Sequence, residues 1–180
     1  VDVIPLHSEF INSENVHDKL QSFNGILVAP GFGERGVEGK IEAIKYVRLN
    51  NIPFFGICYG MQMAVIEYAR NMLKLDDANS TEVNPNTKNP VIDLMEEQKS
   101  ITEKGGTMRL GAWKCDITRE TLCHSVYKTE NIKERHRHRY ELNNKYLNQL
   151  EENGLIASGK NKDTNLVEVV EVKDHPWFIG

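Results

Sequence analysis

The residue with the clearest chemical potential in this sequence is Cys58. It lies in Ile52-Pro53-Phe54-Phe55-Gly56-Ile57-Cys58-Tyr59-Gly60-Met61-Gln62, where an apolar run of strand length ends in Gly-x-Cys-x-Gly and helical spacing takes over. That is the pattern of a nucleophile elbow with sulfur in place of oxygen: the chain turns sharply and the nucleophile stands at the corner. Gly56 and Gly60 carry no Cβ, so strand and helix can approach closely and the turn can take strained dihedrals. A thiol at a helix N-terminus faces unpaired N–H groups and the positive end of the dipole, which is expected to lower its pKa and supply the thiolate nucleophile. The N–H of Tyr59, next after the nucleophile, is a natural oxyanion donor. A cysteine in an α/β core is more often a small packing residue, but the strand-elbow-helix context favours the nucleophile here.

Two further stretches carry chemistry. Pro30-Gly31-Phe32-Gly33-Glu34-Arg35-Gly36 follows an apolar strand, yet it matches neither GxGxxG nor GxxxxGK[ST], which argues against a phosphate cradle. Ligands of open parallel sheets bind beyond the carboxyl ends of strands, where both this loop and Cys58 fall, so the Gly31 N–H is the candidate second oxyanion donor. Phe32 is either a loop aromatic packed on the core or an exposed ring at a pocket mouth. In Arg135-His136-Arg137-His138-Arg139-Tyr140-Glu141 an extended chain would put the three arginines on one face and His136, His138 and Tyr140 on the other. A basic run is usually a solvated face and sometimes a nucleic-acid patch. A guanidinium that clamps the carboxylate of a small ligand is the more economical reading in an acidic chain without stacking platforms.

Positioning these residues requires an α/β frame. Gly25 to Ala29 reads as a buried parallel strand, and the chain after the glycine loop as an amphipathic helix with Ile41, Ile44 and Val47 inward and Lys40, Glu42, Lys45 and Arg48 facing water. Met61, Ala64, Val65, Tyr68, Ala69 and Met72 mark the buried face of the helix after the elbow. The βαβα order calls for right-handed crossovers and a central, mostly parallel sheet flanked by helices, flavodoxin-like or Rossmann-like, with antiparallel additions from the Thr107 to Glu141 region. Val1 to Pro5 reads as a strand end and Asn15 to Ser22 as a short helix. Asp76 to Glu82, followed by Asn84-Pro85 and Asn89-Pro90, reads as a surface excursion, and the charged Glu96 to Lys104 as a mobile loop. Thr107–Gly111 and Trp113–Ile117 read as a hairpin about a glycine turn, with Cys115 and Cys123 as packing residues.

The 180 residues, 39% hydrophobic with net charge −4, suit one globular domain and give no reason to expect nucleic acid or an anionic membrane as partner. Three cysteines without CxxC or metal spacing imply reduced thiols in the cytoplasm, and neither a signal peptide nor an apolar run of membrane-spanning length is present.

Gly-Ile-Cys-Tyr-Gly-Met-Gln resembles the nucleophile motif of the class I (triad) glutamine amidotransferases. Further runs are similar to one branch of that family: Gly31 to Lys40, Asp77 to Glu82, Gly105 to Gly111, Glu134 to Glu141 and Asp174 to Phe178. The resemblance covers nearly everything from Gly25 onward. It implies that Cys58 attacks the side-chain amide of L-glutamine, giving a γ-glutamyl thioester and ammonia, with Gly31 and Tyr59 as oxyanion donors. It also implies a substrate site of Gly31, Tyr59, Gly60, Met61, Gln62, Glu82 and Arg139, in which Glu82 reads the ammonium and Arg139 the carboxylate. Phe32, Arg35 and Arg109 resemble positions lining a site for GTP, the allosteric activator. In this branch a synthetase (amidoligase) domain precedes the glutaminase domain, uses ATP and Mg²⁺ to convert UTP to CTP, takes the ammonia, and mediates homo-oligomerisation.

Two departures accompany the resemblance. Pro30 stands where the family usually has glycine, removing one N–H beside the oxyanion loop while Gly31 keeps its own. The catalytic His and Glu of the family belong to a Gln-Phe-His-Pro-Glu segment expected beyond Gly180; His175-Pro176 is followed by Trp177, so His175 reads as structural. The whole chain, 1–180, is therefore expected to be a glutaminase domain without its synthetase domain and without that C-terminal segment. Rival readings are a γ-glutamyl hydrolase-like thiol hydrolase on the same sheet and a docking or regulatory module that has lost catalysis.

Overall fold

The computed structural model describes residues 1–94 and 108–180. The Glu96 to Lys104 stretch expected to form a loop lies outside the described residues.

After α1 (Val16–Leu20), the chain enters β1 (Ile26–Val28), crosses through α2 (Val37–Leu49), and returns in β2 (Phe54–Gly56) before α3 (Tyr59–Asn71). β1 and β2 pair in parallel with Ile26 opposite Phe54 and Val28 opposite Gly56. Their apolar inner face is covered by α2, through fully buried Ile44 and Val47, and by α3, whose Met63, Ala64, Val65 and Ile66 are all inaccessible. Even Glu67 of α3 is fully buried, its carboxylate held by Arg48 of α2 at 2.7 Å.

Next come β3 (Asn79–Ser80), β4 (Pro90–Asp93), β5 (Arg109–Ile117), α4 (Leu122–Tyr127), β6 (Asn131–His138), β7 (Glu141–Leu142), α5 (Leu147–Glu152), β8 (Leu155–Asn161), β9 (Leu166–Val172) and β10 (Phe178–Ile179). Among the described residues, seven strands form one sheet in the order β1-β2-β10-β9-β8-β5-β6 and three form a smaller one, β3-β4-β7. The large sheet is parallel across β1, β2 and β10 and antiparallel from β10 outward. This is the expected α/β sheet with helices and an elbow, and its antiparallel part reaches further than the Thr107 to Glu141 region because β8 and β9 join it.

One feature of the sheet positions the site. β5 pairs with β8 only at Asp116 and Ile117, whereas it pairs with β6 along its whole length, Arg109 lying opposite His138. The β5–β6 ribbon is therefore an arm, anchored by backbone hydrogen bonds at its base and leaving the sheet toward the Cys58 end.

Several local expectations are corrected. Gly111 makes no turn: with φ +88° it stays within the continuous strand β5, opposite His136, so the partner of this strand lies in β6 and not in a local hairpin. Val1 to Pro5 forms no strand. The supposed surface excursion contains buried Ala78, Asn79 and Ser80, because β3 docks beside β4. The first strand is covered on one face only, leaving Leu27 57% and neighbouring Phe55 44% exposed.

Candidate active site

Cys58 occupies the corner between β2 and α3 with φ 56° and ψ −102°, outside the left-handed basin tolerated by L-residues. Such a conformation costs about 1–3 kcal/mol and persists only where its surroundings over-determine it. They do so here through three backbone contacts: Ile57 N–H to Val28 O at 3.0 Å, Gly60 N–H to Ile57 O at 2.9 Å and Gln62 N–H to Cys58 O at 3.2 Å. A Cβ on Gly60 would come 2.3 Å from the Val28 carbonyl oxygen, and one on Gly56 would come 2.8 Å from the Gly60 backbone. The two glycines flanking the cysteine are thus steric requirements of the elbow.

The thiol opens onto a cavity of about 620 Å³ that gathers Gly31, Phe32, Gln62, Glu82 and Arg139 around Cys58. These residues come from four separate parts of the chain. Gly31 lies against the Tyr59 ring, Tyr59 donates its hydroxyl to the Gly33 carbonyl, and the Gly33 N–H donates to Glu82 Oε1 at 3.0 Å. The glycine loop is thereby stitched to the elbow on one side and to the 80s loop on the other. Gln62 donates Nε2 to the Tyr140 carbonyl at 3.0 Å, while its buried Oε1 has no partner among the described residues. Gly60 and Met61 lie in the first turn of α3, Gly60 buried against β1 and Met61 facing a second, smaller cavity on the other side of Cys58.

The expected depression of the Cys58 pKa is not observed. Burial, above all, pushes the thiol up; the Tyr59 N–H opposes this by donating to the sulfur, and the carboxylates of Glu141 and Glu82 add to the rise. The resting group is therefore the thiol, and attack requires a base to take its proton. His175 is not that base: its Nδ1 accepts from Trp177 N–H at 3.2 Å and its Nε2 meets the Val47 carbonyl at 3.3 Å, which fixes a neutral tautomer. Burial lowers its pKa further.

The three residues expected to line an effector site are not brought together. Phe32 is 85% exposed at the cavity mouth, and Arg35 is exposed and pairs with Glu9 at 2.7 Å. Arg109 is 3% exposed, with Nη1 and Nη2 donating to Glu141 and Glu168 and its guanidinium 4.4 Å above the Trp113 ring. No open guanidinium remains there for a ligand.

The sequence alone did not single out Glu141, Glu168, His136 or His138. His138 lines the main cavity, and all four line the second one, of about 230 Å³. The period-two alternation did separate exposed Arg135 and Arg137 from half-buried His136 and His138, but the strand ends at His138 and Arg139 turns into the cavity. Among the described residues no group of three His, Cys, Asp or Glu side chains is arranged to hold a metal, and no helix is long and apolar enough to cross a membrane.

A cysteine held in strained backbone at a strand-to-helix corner, above a cavity with both a carboxylate and a guanidinium, is the architecture of a thiol-dependent amidotransferase. A family model described as glutamine amidotransferase class-I matches residues 1–180, and the chain belongs to that family. More particularly, it is 67% identical over 180 residues to the CTP synthase of Flavobacterium johnsoniae, covering 100% of this chain and 34% of that protein. It is also 57% identical over 180 residues to the CTP synthase of Clostridium acetobutylicum, again covering 100% of this chain and 34% of the relative. The glutaminase domain of Trypanosoma brucei CTPS, solved with bound acivicin, superimposes with a TM-score of 0.91 at 37% identity, covering 99% of this chain and 70% of that one. The chain thus spans about a third of the length of the curated relatives.

Proposed function

We propose that this chain is the glutaminase domain of a CTP synthase. The observation that carries the reading is the strained Cys58 backbone above a cavity shared with Glu82 and Arg139. L-Glutamine enters with its ammonium toward Glu82 and its carboxylate toward Arg139, which leaves the side-chain amide facing the sulfur. The Cys58 thiolate attacks the amide carbon, and the new oxyanion is met by the N–H groups of Tyr59 and Gly31. The C–N bond then breaks, ammonia leaves, and water hydrolyses the γ-glutamyl thioester to glutamate. Proline at position 30 removes no donor from this pair. Gln62 Oε1 is available to accept from the substrate.

The proton on Cys58 is assigned to the His–Glu pair that the family carries in a segment following the position of Gly180. Ammonia passes to a synthetase domain of the same polypeptide, where ATP and Mg²⁺ support amination of UTP to CTP and through which the protein is expected to oligomerise. If GTP activates this domain, Phe32 and Arg35 are the candidates to touch it and Arg109 is not. A cytoplasmic location accords with three free cysteines.

The test is the rate at which the glutamine-analogue electrophile 6-diazo-5-oxo-norleucine labels Cys58, followed by intact mass, with Cys58→Ala as control. Fast labelling confined to Cys58 and suppressed by L-glutamine is the expected result. Slow, unprotected labelling spread over Cys115 and Cys123 would overturn the reading.

A further inference from the structure

The arm that carries Arg137, His138 and Arg139 toward the Cys58 cavity has, among the described residues, no backbone hydrogen bonds to β8 or β9 at that end, since β5 leaves β8 beyond Asp116; its backbone is next tied down in β7, which pairs with β4 through Glu141 and Leu142. Toward β9, the contact is made by side chains. Glu168 of β9 accepts Arg109 Nη2 at 2.7 Å and Nη1 at 3.3 Å, and its Oε2 lies 2.6 Å from His136 Nε2. The other ring nitrogen of His136 lies 2.9 Å from the Glu134 carbonyl oxygen. Both partners of the ring are acceptors, an arrangement that favours the doubly protonated imidazolium over either neutral tautomer. Glu141 of β7 completes the cluster, accepting Arg109 Nη1 at 3.2 Å, with His138 Nδ1 3.2 Å from the same oxygen. Buried Arg109 and half-buried His136 thus stand against two carboxylates whose side chains are nearly inaccessible, Glu168 and Glu141, next to the nucleophile.

We propose that Glu168 is a positioning residue for the glutamine site: by receiving both Arg109 and the His136 imidazolium it latches the arm to β9 and sets where Arg139 and His138 stand beside Cys58. The inference rests on the amidotransferase reading of that cavity. Loss of the His136 proton would remove one of the two ring N–H donors, leaving a lone pair against the Glu134 carbonyl or the Glu168 carboxylate, and would leave the cluster with one uncompensated negative charge.

The pH dependence has a definite sign. The hydrogen bond from Glu168, working against burial, raises the His136 pKa. Burial works to raise Glu168, but the hydrogen bonds of His136 and Arg109 prevail and lower it. A raised histidine stabilises the latch fully below its unfolded pKa and releases it as pH rises through the folded one. A lowered carboxylate releases the latch only as pH falls through its folded pKa. Around neutrality, therefore, the latch loosens upward. The groups facing His136 are Glu168 from β9, Arg109 from β5, Glu141 from β7, Tyr127 from α4, and Cys58 across the cavity, with Glu134 and His138 on its own strand.

The experiment uses the natural polypeptide and measures the L-glutamine concentration that halves labelling of Cys58 by 6-diazo-5-oxo-norleucine. Glu168→Gln is expected to raise that concentration about tenfold while labelling of Cys58 by iodoacetamide, which needs no glutamine pocket, stays within about twofold. In the wild type the concentration rises as pH rises through the raised His136 pKa, and in His136→Gln, which keeps a neutral donor toward Glu168 at every pH, it stays flat. Glu168→Asp, with the charge kept, falls between Glu168→Gln and the wild type. A midpoint within about twofold of wild type in Glu168→Gln, or an unchanged pH slope in His136→Gln, overturns the latch. A wild-type Cys58 that takes no glutamine-protected label overturns the amidotransferase reading itself, and the latch with it.

Discussion

The two walls of the Cys58 cavity are held in place by different forces. On the elbow wall, position is a matter of backbone: Gly56 and Gly60 allow a contact that any Cβ would block, and Ile57 is hydrogen-bonded to Val28. On the arm wall, backbone pairing resumes only at β7 with β4, and the contact with β9 runs through the charges of Arg109, His136, Glu141 and Glu168. Backbone sterics do not titrate, whereas buried ion clusters do. Cys58 is thus mounted by backbone, and the arm residues proposed to orient a substrate sit on a wall that proton concentration can reach.

Breaking the arm wall should have the largest effect. Arg109→Met leaves Glu141 and Glu168 buried without their shared cation and is expected to cost about 3–5 kcal/mol in urea unfolding. On the elbow wall, Gly60→Ala forces a methyl against the Val28 carbonyl and is expected to cost about 3 kcal/mol by the same measurement, with no change in that cost as pH rises through the raised His136 pKa. A third variant separates strain from chemistry. Cys58→Gly is expected to abolish glutamine hydrolysis while raising stability by about 1 kcal/mol, since glycine takes φ 56° without penalty. An unchanged or lowered melting temperature would show that the corner is not strained. The smallest effect concerns the two walls in the native state. After correction for intrinsic exchange rates, amide hydrogens of β6 should lose protection as pH rises through the raised His136 pKa, while those of α3 should not. Equal loss in both would erase the distinction between the walls.

The elbow wall was legible in the sequence because it is local. Glycine, cysteine and glycine at alternate positions between an apolar strand and a helical stripe specify one geometry within a few residues. The arm wall was not legible, because its meaning lies in pairings between distant segments: Arg109 with Glu168 is 59 residues apart, and His136 with Glu168 is 32. Glu168 sits in Leu166 to Val172, where alternation with valines reads as an ordinary strand with a solvated carboxylate. Gly111 misled for a related reason. A glycine between two short β-prone runs signals a turn, and only the long register with β6 shows that it lies within one strand. The Cys58 pKa was anticipated with the wrong sign because the helix terminus was weighed without burial and without Glu141 and Glu82, none of which is adjacent in sequence. Glu82 itself became visible through family resemblance, since a carboxylate in an Asn-Ser-Thr-Glu turn has no local pattern that distinguishes it from a surface charge.

The backbone angles of Cys58 also bear on descent. A corner that disfavours every residue with a side chain, and that is kept only where a sulfur there does work, is unstable to genetic drift once that work ends. In a descendant whose amidotransferase activity had lapsed, replacement of position 58 by glycine would relieve the main chain and meet no opposing selection. A retained cysteine at this corner is therefore a marker of recent use, more sensitive than the glycines beside it, which the fold requires whether or not the site is active.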